Sequence, residues 1–302
     1  MLDTPSLDIV CLCADWCGTC REYAQVFEAL QQALPAHRYR WIDIEDEADA
    51  LGDIDIETFP TLLVAHGGRV LFAGPVLPRL GDAQRLIEAV RAALEVDGER
   101  FHYVEEGKGP PLVMIHGLMG SSRNLTYALS GQLREHFRVI TLDRPGSGYS
   151  TRHKATAADL PAQARQVAAF INTLGLDKPV VLGHSLGGAI SLALALDHPE
   201  TVSGLVLVAP LTHPQPTLPL VFWSLAVRPA WLRRFVAHTL TVPIGLLTRR
   251  SVVKGVFAPD PAPEDFATQG GGLLGMRPDN FYAASSEIVL VNDYLPGMVK
   301  RY

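Results

Sequence analysis

The chain has 302 residues, a length that suggests about two domains. Apolar residues make up 48% of it and charged residues 19%, which excludes a disordered chain and fits one that buries a core. The net charge of −6 is unevenly divided: residues 1–97 carry 7 basic and 17 acidic side chains, the remainder 19 and 15. The basic residues form no dense stripe, so no nucleic-acid partner is expected.

No uninterrupted apolar stretch reaches the 18 residues that a membrane span needs; residues 218–227 come nearest and stop at Arg228-Pro229. The first apolar run, from Leu7, lacks the basic segment that opens a secretory signal. The chain therefore reads as cytoplasmic with no membrane span. In that compartment clustered cysteines point to redox chemistry or metal rather than to a disulfide framework.

All four cysteines lie between positions 11 and 20. Residues 7–13 read as a buried strand, and Trp16-Cys17-Gly18-Thr19-Cys20 leads into a helix over 21–34. Residues 39–44 alternate as a strand, 61–65 and 69–73 pair around His66-Gly67-Gly68, and 80–94 spaces its apolar residues for one helical face. Cys17 at a helix N-terminus would have its thiolate stabilised, and Cys20 one turn on can resolve a mixed disulfide. A rival reading gives Cys11, Cys13, Cys17 and Cys20 to a metal. Cys11 and Cys13 are alternate residues of an apolar strand, however, where cysteine serves as a small hydrophobe. The expectation is no metal and no cofactor.

Trp16-Cys17-Gly18-Thr19-Cys20 together with Phe59-Pro60-Thr61 resembles the thioredoxin family over about 90 residues. The resemblance implies a minimal three-layer α/β/α thioredoxin fold over 1–96. Cys17 and Cys20 would be catalytic, Trp16 would shield the site, and Pro60 would be the proline facing the cysteines. Protein disulfides or a reductase are the implied partners. Thr19 stands where the family commonly has Pro, and Cys11 where it often has a buried Asp. The family's initial strand and helix are absent.

From Asp97 a second pattern begins, with strands near 100–105, 112–115, 138–142, 180–182 and 202–208 and helices over 157–174 and 189–196. The alternation implies a parallel sheet, with 202–208 a buried strand. Gly183-His184-Ser185-Leu186-Gly187 is a G-x-S-x-G elbow, which lifts a serine hydroxyl out of a tight turn. The Leu186 N–H can face a developing oxyanion, and Leu118, after His116-Gly117, is the second candidate donor.

These motifs, with Asp143-Arg144-Pro145-Gly146-Ser147-Gly148-Tyr149-Ser150, resemble the α/β-hydrolase superfamily from Asp97 almost to the end. The resemblance implies an α/β-hydrolase domain over 97–302 with a helical cap at about 210–278. Residues 218–227 and 231–240 would line or cover an apolar pocket. Ser185 as the catalytic nucleophile favours a small apolar ester or thioester substrate over the chemistry of dehalogenases, which place Asp there.

That family sets a carboxylate and a histidine beyond the cap, and the chain ends where the first of those strands is expected. His198, His213 and His238 follow Ser185, none at the family position, with His213 the least distant substitute. The helix over 80–94 also occupies the place of the strand that usually precedes the Asp-Gly turn. The second domain thus reads as clipped at both ends. Three functions remain open: a thiol–disulfide oxidoreductase with an idle hydrolase-like half, a serine hydrolase completed by a longer chain or a partner, and a non-catalytic binding module.

Overall fold

A computed structural model describes residues 6–46, 59–66, 69–76, 78–91, 93–153 and 156–302. The chain forms two compact units, Met1–Ala92 and Ala93–Tyr302.

In the first unit the central strand β1 (Asp8–Cys13) pairs parallel with β2 (Arg38–Asp43) and antiparallel with β3 (Thr61–His66). Strand β4 (Arg69–Pro75) completes the order β2-β1-β3-β4. Gly67 and Gly68, expected at the turn between β3 and β4, lie outside the described residues. Helix α1 (Gly18–Ala33) buries Cys20, Tyr23, Phe27 and Leu30, a 3-4-3 spacing that forms one face. Phe27 meets Tyr39 and Trp41 edge-on, each at 5.6 Å, and so fastens α1 to β2. Helix α2 (Leu80–Arg91) buries Ala83, Leu86, Ile87 and Val90.

The second unit holds six strands: β5 (Ala93–Val96), β6 (Glu99–Glu106), β7 (Pro111–Ile115), β8 (Arg138–Leu142), β9 (Val180–His184) and β10 (Gly204–Val208). Their order is β10-β9-β7-β8-β6-β5, with β7 to β10 parallel and β5 and β6 antiparallel at one side. The helices are α3 (Ser122–Leu125), α4 (Gly131–Leu133), α5 (Leu160–Thr173), α6 (Leu186–Asp197), α7 (Ala230–Thr239), α8 (Thr241–Phe257) and α9 (Pro278–Val299). Val113, Ile115, Ile140 and Val181 of the sheet pack with Phe170 of α5, Ile190 of α6 and Leu295 of α9 in one core.

Two expectations are corrected. The amphipathic helix stops at Arg91, and residues 93–96 form a strand instead of its last turn. Asp97 and Gly98 both have positive φ, 50° and 80°, which closes a tight hairpin between β5 and β6. Leu94, spaced as if for the helix face, packs against the second unit's core. The strand before the Asp-Gly turn is therefore present, the second unit begins at Ala93, and it is not clipped on that side. Secondly, β10 is not buried. It lies at the sheet edge, where Val206, Leu207 and Val208 are 45%, 36% and 40% exposed.

The hairpin generates a prediction. Gly98→Val forces a β-branched residue into the left-handed region and should destabilise the second unit by roughly 1–2 kcal/mol. Glu95→Gln, at an exposed strand position, should change it by less than about 0.5 kcal/mol. Urea unfolding followed by tryptophan fluorescence separates the two.

Candidate functional site

Both candidate nucleophiles sit where a strand runs into a helix. In the first unit Cys17 is the N-cap of α1, and its Sγ accepts a hydrogen bond from the Cys20 N–H at 3.4 Å. The Cys20 thiol, joined by the Cys20 and Thr19 amides and the nearby Arg21 charge, lowers the Cys17 pKa against the opposing cost of desolvation. Cys20 is buried, and desolvation pushes its thiol up. An accessible low-pKa thiol beside a buried high-pKa one is the division of labour that attack and resolution require.

Trp16 is 66% exposed; its ring meets Phe59 edge-on at 5.9 Å, and its Nε1–H donates to Glu45 Oε1 at 3.0 Å. That contact brings the Phe59-Pro60 segment beside the cysteine motif. The Phe59–Pro60 bond is cis, and Pro60 is buried. Among the described residues no group of three or more His, Cys, Asp or Glu is placed to hold a metal ion.

In the second unit Ser185 caps α6 with φ 53° and ψ −118°, a conformation costly for a residue with a Cβ. The turn closes this tightly because Gly187 lies against the Ile115 and His116 carbonyls, leaving no room for a side chain. The Ser185 carbonyl accepts from the N–H groups of Gly188 at 2.9 Å, Leu211 at 2.9 Å and Ala189 at 3.4 Å, and its own N–H donates to Val208 O at 3.1 Å. Its hydroxyl has no hydrogen bond to any described residue. Among the described residues no backbone hydrogen bond outside the helices and strands uses the Leu186 or Leu118 amide. Gly117 lies so near the elbow that a Cβ on it would stand 3.0 Å from Ser185 Cβ.

The orientation of Leu118 N–H has a buried cause that sequence reasoning missed. The Gly117 carbonyl is held by His116 Nδ1–H at 2.8 Å, Arg144 Nη2–H at 3.1 Å and Gly120 N–H at 3.2 Å. In a trans peptide the next N–H points the opposite way, so pinning this carbonyl aims the Leu118 amide. Arg144 is fully buried and spends its other donors on His116 O, Gln163 Oε1 and both oxygens of Glu287, at 2.9 and 3.1 Å. Glu287, from α9, is also reached by Arg152 at 3.3 Å. Burial holds the His116 pKa down at about 3, so its ring is neutral and Nε2 accepts from the Arg144 N–H at 3.0 Å. Burial alone would raise the Asp143 pKa; the His102 ring at 2.7 Å and the Ser122 amide instead bring it to about 2. The Asp143 carboxylate is thus held by buried contacts with His102, Ser122 and Tyr149.

A cavity of about 870 Å³ opens over Ser185, Leu118 and His184. Phe222 and Leu225, Val236 and Leu240 line it from the two segments expected to do so, and Ile244 and Val256 of α8 add a wall that the sequence did not separate from the cap. None of His198, His213 or His238 is among the lining residues. His198 ends α6, His213 bonds Thr212 and faces Tyr302, and His238 lies in α7.

The family described as alpha/beta hydrolase fold matches residues 110–262, and the thioredoxin family matches residues 3–75. Among curated proteins, haloalkane dehalogenase 2 of Mycobacterium tuberculosis is 34% identical over 160 residues, 50% of this chain and 54% of the relative. The (E)-2-((N-methylformamido)methylene)succinate hydrolase of Acinetobacter baylyi is 36% identical over 109 residues, 35% of this chain and 40% of the relative. The chain thus spans about half the length of the first of these, and less of the second. Among solved structures, an alpha/beta hydrolase fold protein from Burkholderia ambifaria superposes with a TM-score of 0.57 at 23% identity, covering 70% of this chain and 74% of that one. The epoxide hydrolase CorEH gives 0.54 at 23%, covering 69% and 76%. At that identity the likeness is one of fold.

The buried network yields two expected outcomes. Glu287→Ala leaves the Arg144 and Arg152 guanidinium groups without their carboxylate and should cost the second unit about 3–5 kcal/mol in urea unfolding. For His116 the folded pKa lies below the unfolded value of 6.5, so below pH 6.5 the unfolded chain takes up a proton that the folded one refuses. Its contribution is whole above pH 6.5 and falls by up to about 1.4 kcal/mol per unit as the pH drops towards 3. Unfolding midpoints at pH 7, 5.5 and 4 should decline accordingly, and His116→Asn should flatten the decline.

Proposed function

We propose a function on the premise that this chain belongs to the α/β-hydrolase fold family and carries a thioredoxin segment ahead of that fold. The first unit is a thiol–disulfide oxidoreductase. The Cys17 thiolate attacks a protein disulfide and releases one thiol; Cys20 then displaces the second, leaving a Cys17–Cys20 disulfide for a reductase to reopen. The observation that carries this reading is the Cys17 sulfur at the N-terminus of α1, accepting from the Cys20 amide at 3.4 Å. Its working compartment is the reducing cytoplasm, where such a dithiol is regenerated. Among the described residues no helix is long and apolar enough to cross a membrane.

The strained elbow, the Leu118 and Leu186 amides and the apolar cavity favour a second activity, that of a serine hydrolase on a small apolar ester or thioester. Ser185 at the elbow supports acyl transfer rather than the reaction named for the dehalogenase relative. The described residues bring neither a histidine nor a carboxylate to the Ser185 hydroxyl, so turnover depends on a base from elsewhere in a longer chain or from a partner.

Insulin reduction with dithiothreitol should be accelerated by the full chain, and Cys17→Ser or Cys20→Ser should return it to the uncatalysed rate. Equal rates for all three would end the redox reading. Alkylation of Cys17 by iodoacetamide should have its pH midpoint below that of an ordinary thiol, because the folded state favours the thiolate. A fluorophosphonate probe labelling wild type but not Ser185→Ala would support the hydrolase reading, with p-nitrophenyl butyrate reporting turnover. Neither signal, with stabilisation by an apolar ligand, would leave a binding module.

A further inference from the structure

The outer side of the cap is used by neither activity. Helix α8 turns one stripe inward: Thr241, Gly245, Thr248, Val252 and Val256, three or four residues apart, line the cavity. The same periodicity sets Val242, Leu246, Leu247, Arg250 and Lys254 on the opposite face. All five are exposed, Leu247 by 85%, and no residue of α8 is buried. A helix that is apolar on both sides is ordinarily covered on both. Helix α8 has the cavity on one side and solvent on the other.

The neighbouring elements repeat the pattern. In α7, Trp231, Arg234 and Phe235 share an exposed face, whereas Arg233 and Ala237 are buried. Helix α7 packs against both α8 and α9. Trp223, in the helical turn Leu220–Leu225, is exposed as well. From Thr201 to Pro259 the sequence holds no Asp or Glu, but it holds Arg228, Arg233, Arg234, Arg249, Arg250 and Lys254. Arg233 is spent on Ser285 and Ser286, and Arg249 lines the cavity. The other four are exposed, and no acidic side chain among the described residues pairs with them. A chain of net charge −6 thus keeps its exposed aromatic and aliphatic cap residues in a segment whose only charges are positive.

We propose that the exposed sides of α7 and α8, with Trp223, bind the anionic surface of a phospholipid membrane. The tryptophan rings suit the headgroup level, where an apolar body and a polar N–H are both accommodated. Leu246 and Leu247 enter the acyl boundary, and the four basic groups meet the negative headgroups. Among the described residues no helix is long and apolar enough to cross, so the contact is interfacial. A second copy of the chain is a poorer match. Two cap faces together would set basic groups against one another. The acidic first unit exposes only Trp16 and Val70 among its described large apolar residues. Binding of this kind requires neither redox turnover nor a base at Ser185.

The experiment sediments the full chain with vesicles of phosphatidylcholine containing phosphatidylglycerol, and with vesicles of phosphatidylcholine alone. Binding should be at least about tenfold tighter to the anionic vesicles and should weaken as salt is raised. Arg250→Ala combined with Lys254→Ala should weaken it about tenfold or more. Leu246→Ser combined with Leu247→Ser should abolish it while far-UV circular dichroism stays unchanged. Brominated acyl chains should quench the tryptophan fluorescence of the wild type. Trp223→Phe combined with Trp231→Phe, which keeps Trp16 and Trp41, should lose that quenching. Absence of sedimentation with either vesicle, equal binding to both, or quenching retained in the tryptophan variant overturns the proposal. A dimer that forms without vesicles and is lost in the leucine variant assigns the face to a second copy and also overturns it.

Discussion

The second unit depends on one buried guanidinium. Arg144 cannot shed its charge, so every one of its N–H groups must find an acceptor inside the protein. It finds the His116 and Gly117 carbonyls, Gln163 on α5 and Glu287 on α9. These acceptors belong to parts far apart in the sequence, and a single planar group fixes their mutual geometry. The loop that presents the Leu118 amide is thereby held from behind by a charge pair as well as by its own turn. The bond to Glu287 makes α9 part of that support, because without the carboxylate the arginine would be an unpaired buried cation. A helix distant from the serine in sequence is for this reason built into the serine's surroundings.

The two units solve one problem in different ways. Under the proposed function each needs a nucleophile in the open at the N-terminal end of a helix, where unpaired amides favour negative charge. On that proposal the nucleophile of the first unit itself becomes the anion, and Cys17 accepts directly from the amide one turn on. In the second the charge would develop on the substrate, to be met by the Leu186 amide, and the serine is turned aside by its positive φ. A thiolate site can therefore be assembled from four consecutive residues, whereas a serine site needs a second loop to supply the other donor and further residues to supply the base.

That difference sets what could be read from the residues in order. Cys17, Cys20, Trp16 and the elbow around Ser185 are local patterns with fixed spacing, and each stands at the strand-to-helix junction it implied. Leu118 is legible as a candidate because a His-Gly loop after a strand is equally local. Arg144 and Glu287 escaped notice because their meaning lies in a contact across 143 positions. The only signal of Glu287 was a lone carboxylate on the apolar run of α9, a pattern shared by many solvated helices. The boundary error has a similar origin. Leu94 fits both a helical face continuing from Leu80 and a strand facing the next core, and periodicity alone cannot choose. Asp97-Gly98 carried the deciding information, since two residues of positive φ close a hairpin and a hairpin needs a strand on each side. β10 was misread for the opposite reason. Its apolar run signals burial, but an edge strand pairs on one side only, and nothing within those five residues reveals which side lacks a neighbour.

The strain at Ser185 bears on how the elbow of the second unit keeps its shape. A positive φ at a residue with a Cβ is unfavourable and persists only where the surroundings over-determine it. Here three amides hold the Ser185 carbonyl, Val208 O holds its N–H, and Gly187 is packed against two carbonyls of the β7 end. All of these contacts come from β7, β10, α6 and the turn after β10, which the described residues contain in full. The elbow therefore needs neither a general base nor its carboxylate to keep its shape. Nucleophile geometry and proton transfer are separable in this fold: the first is fixed by the packing of a strand, a turn and a helix, the second by whichever group reaches the hydroxyl.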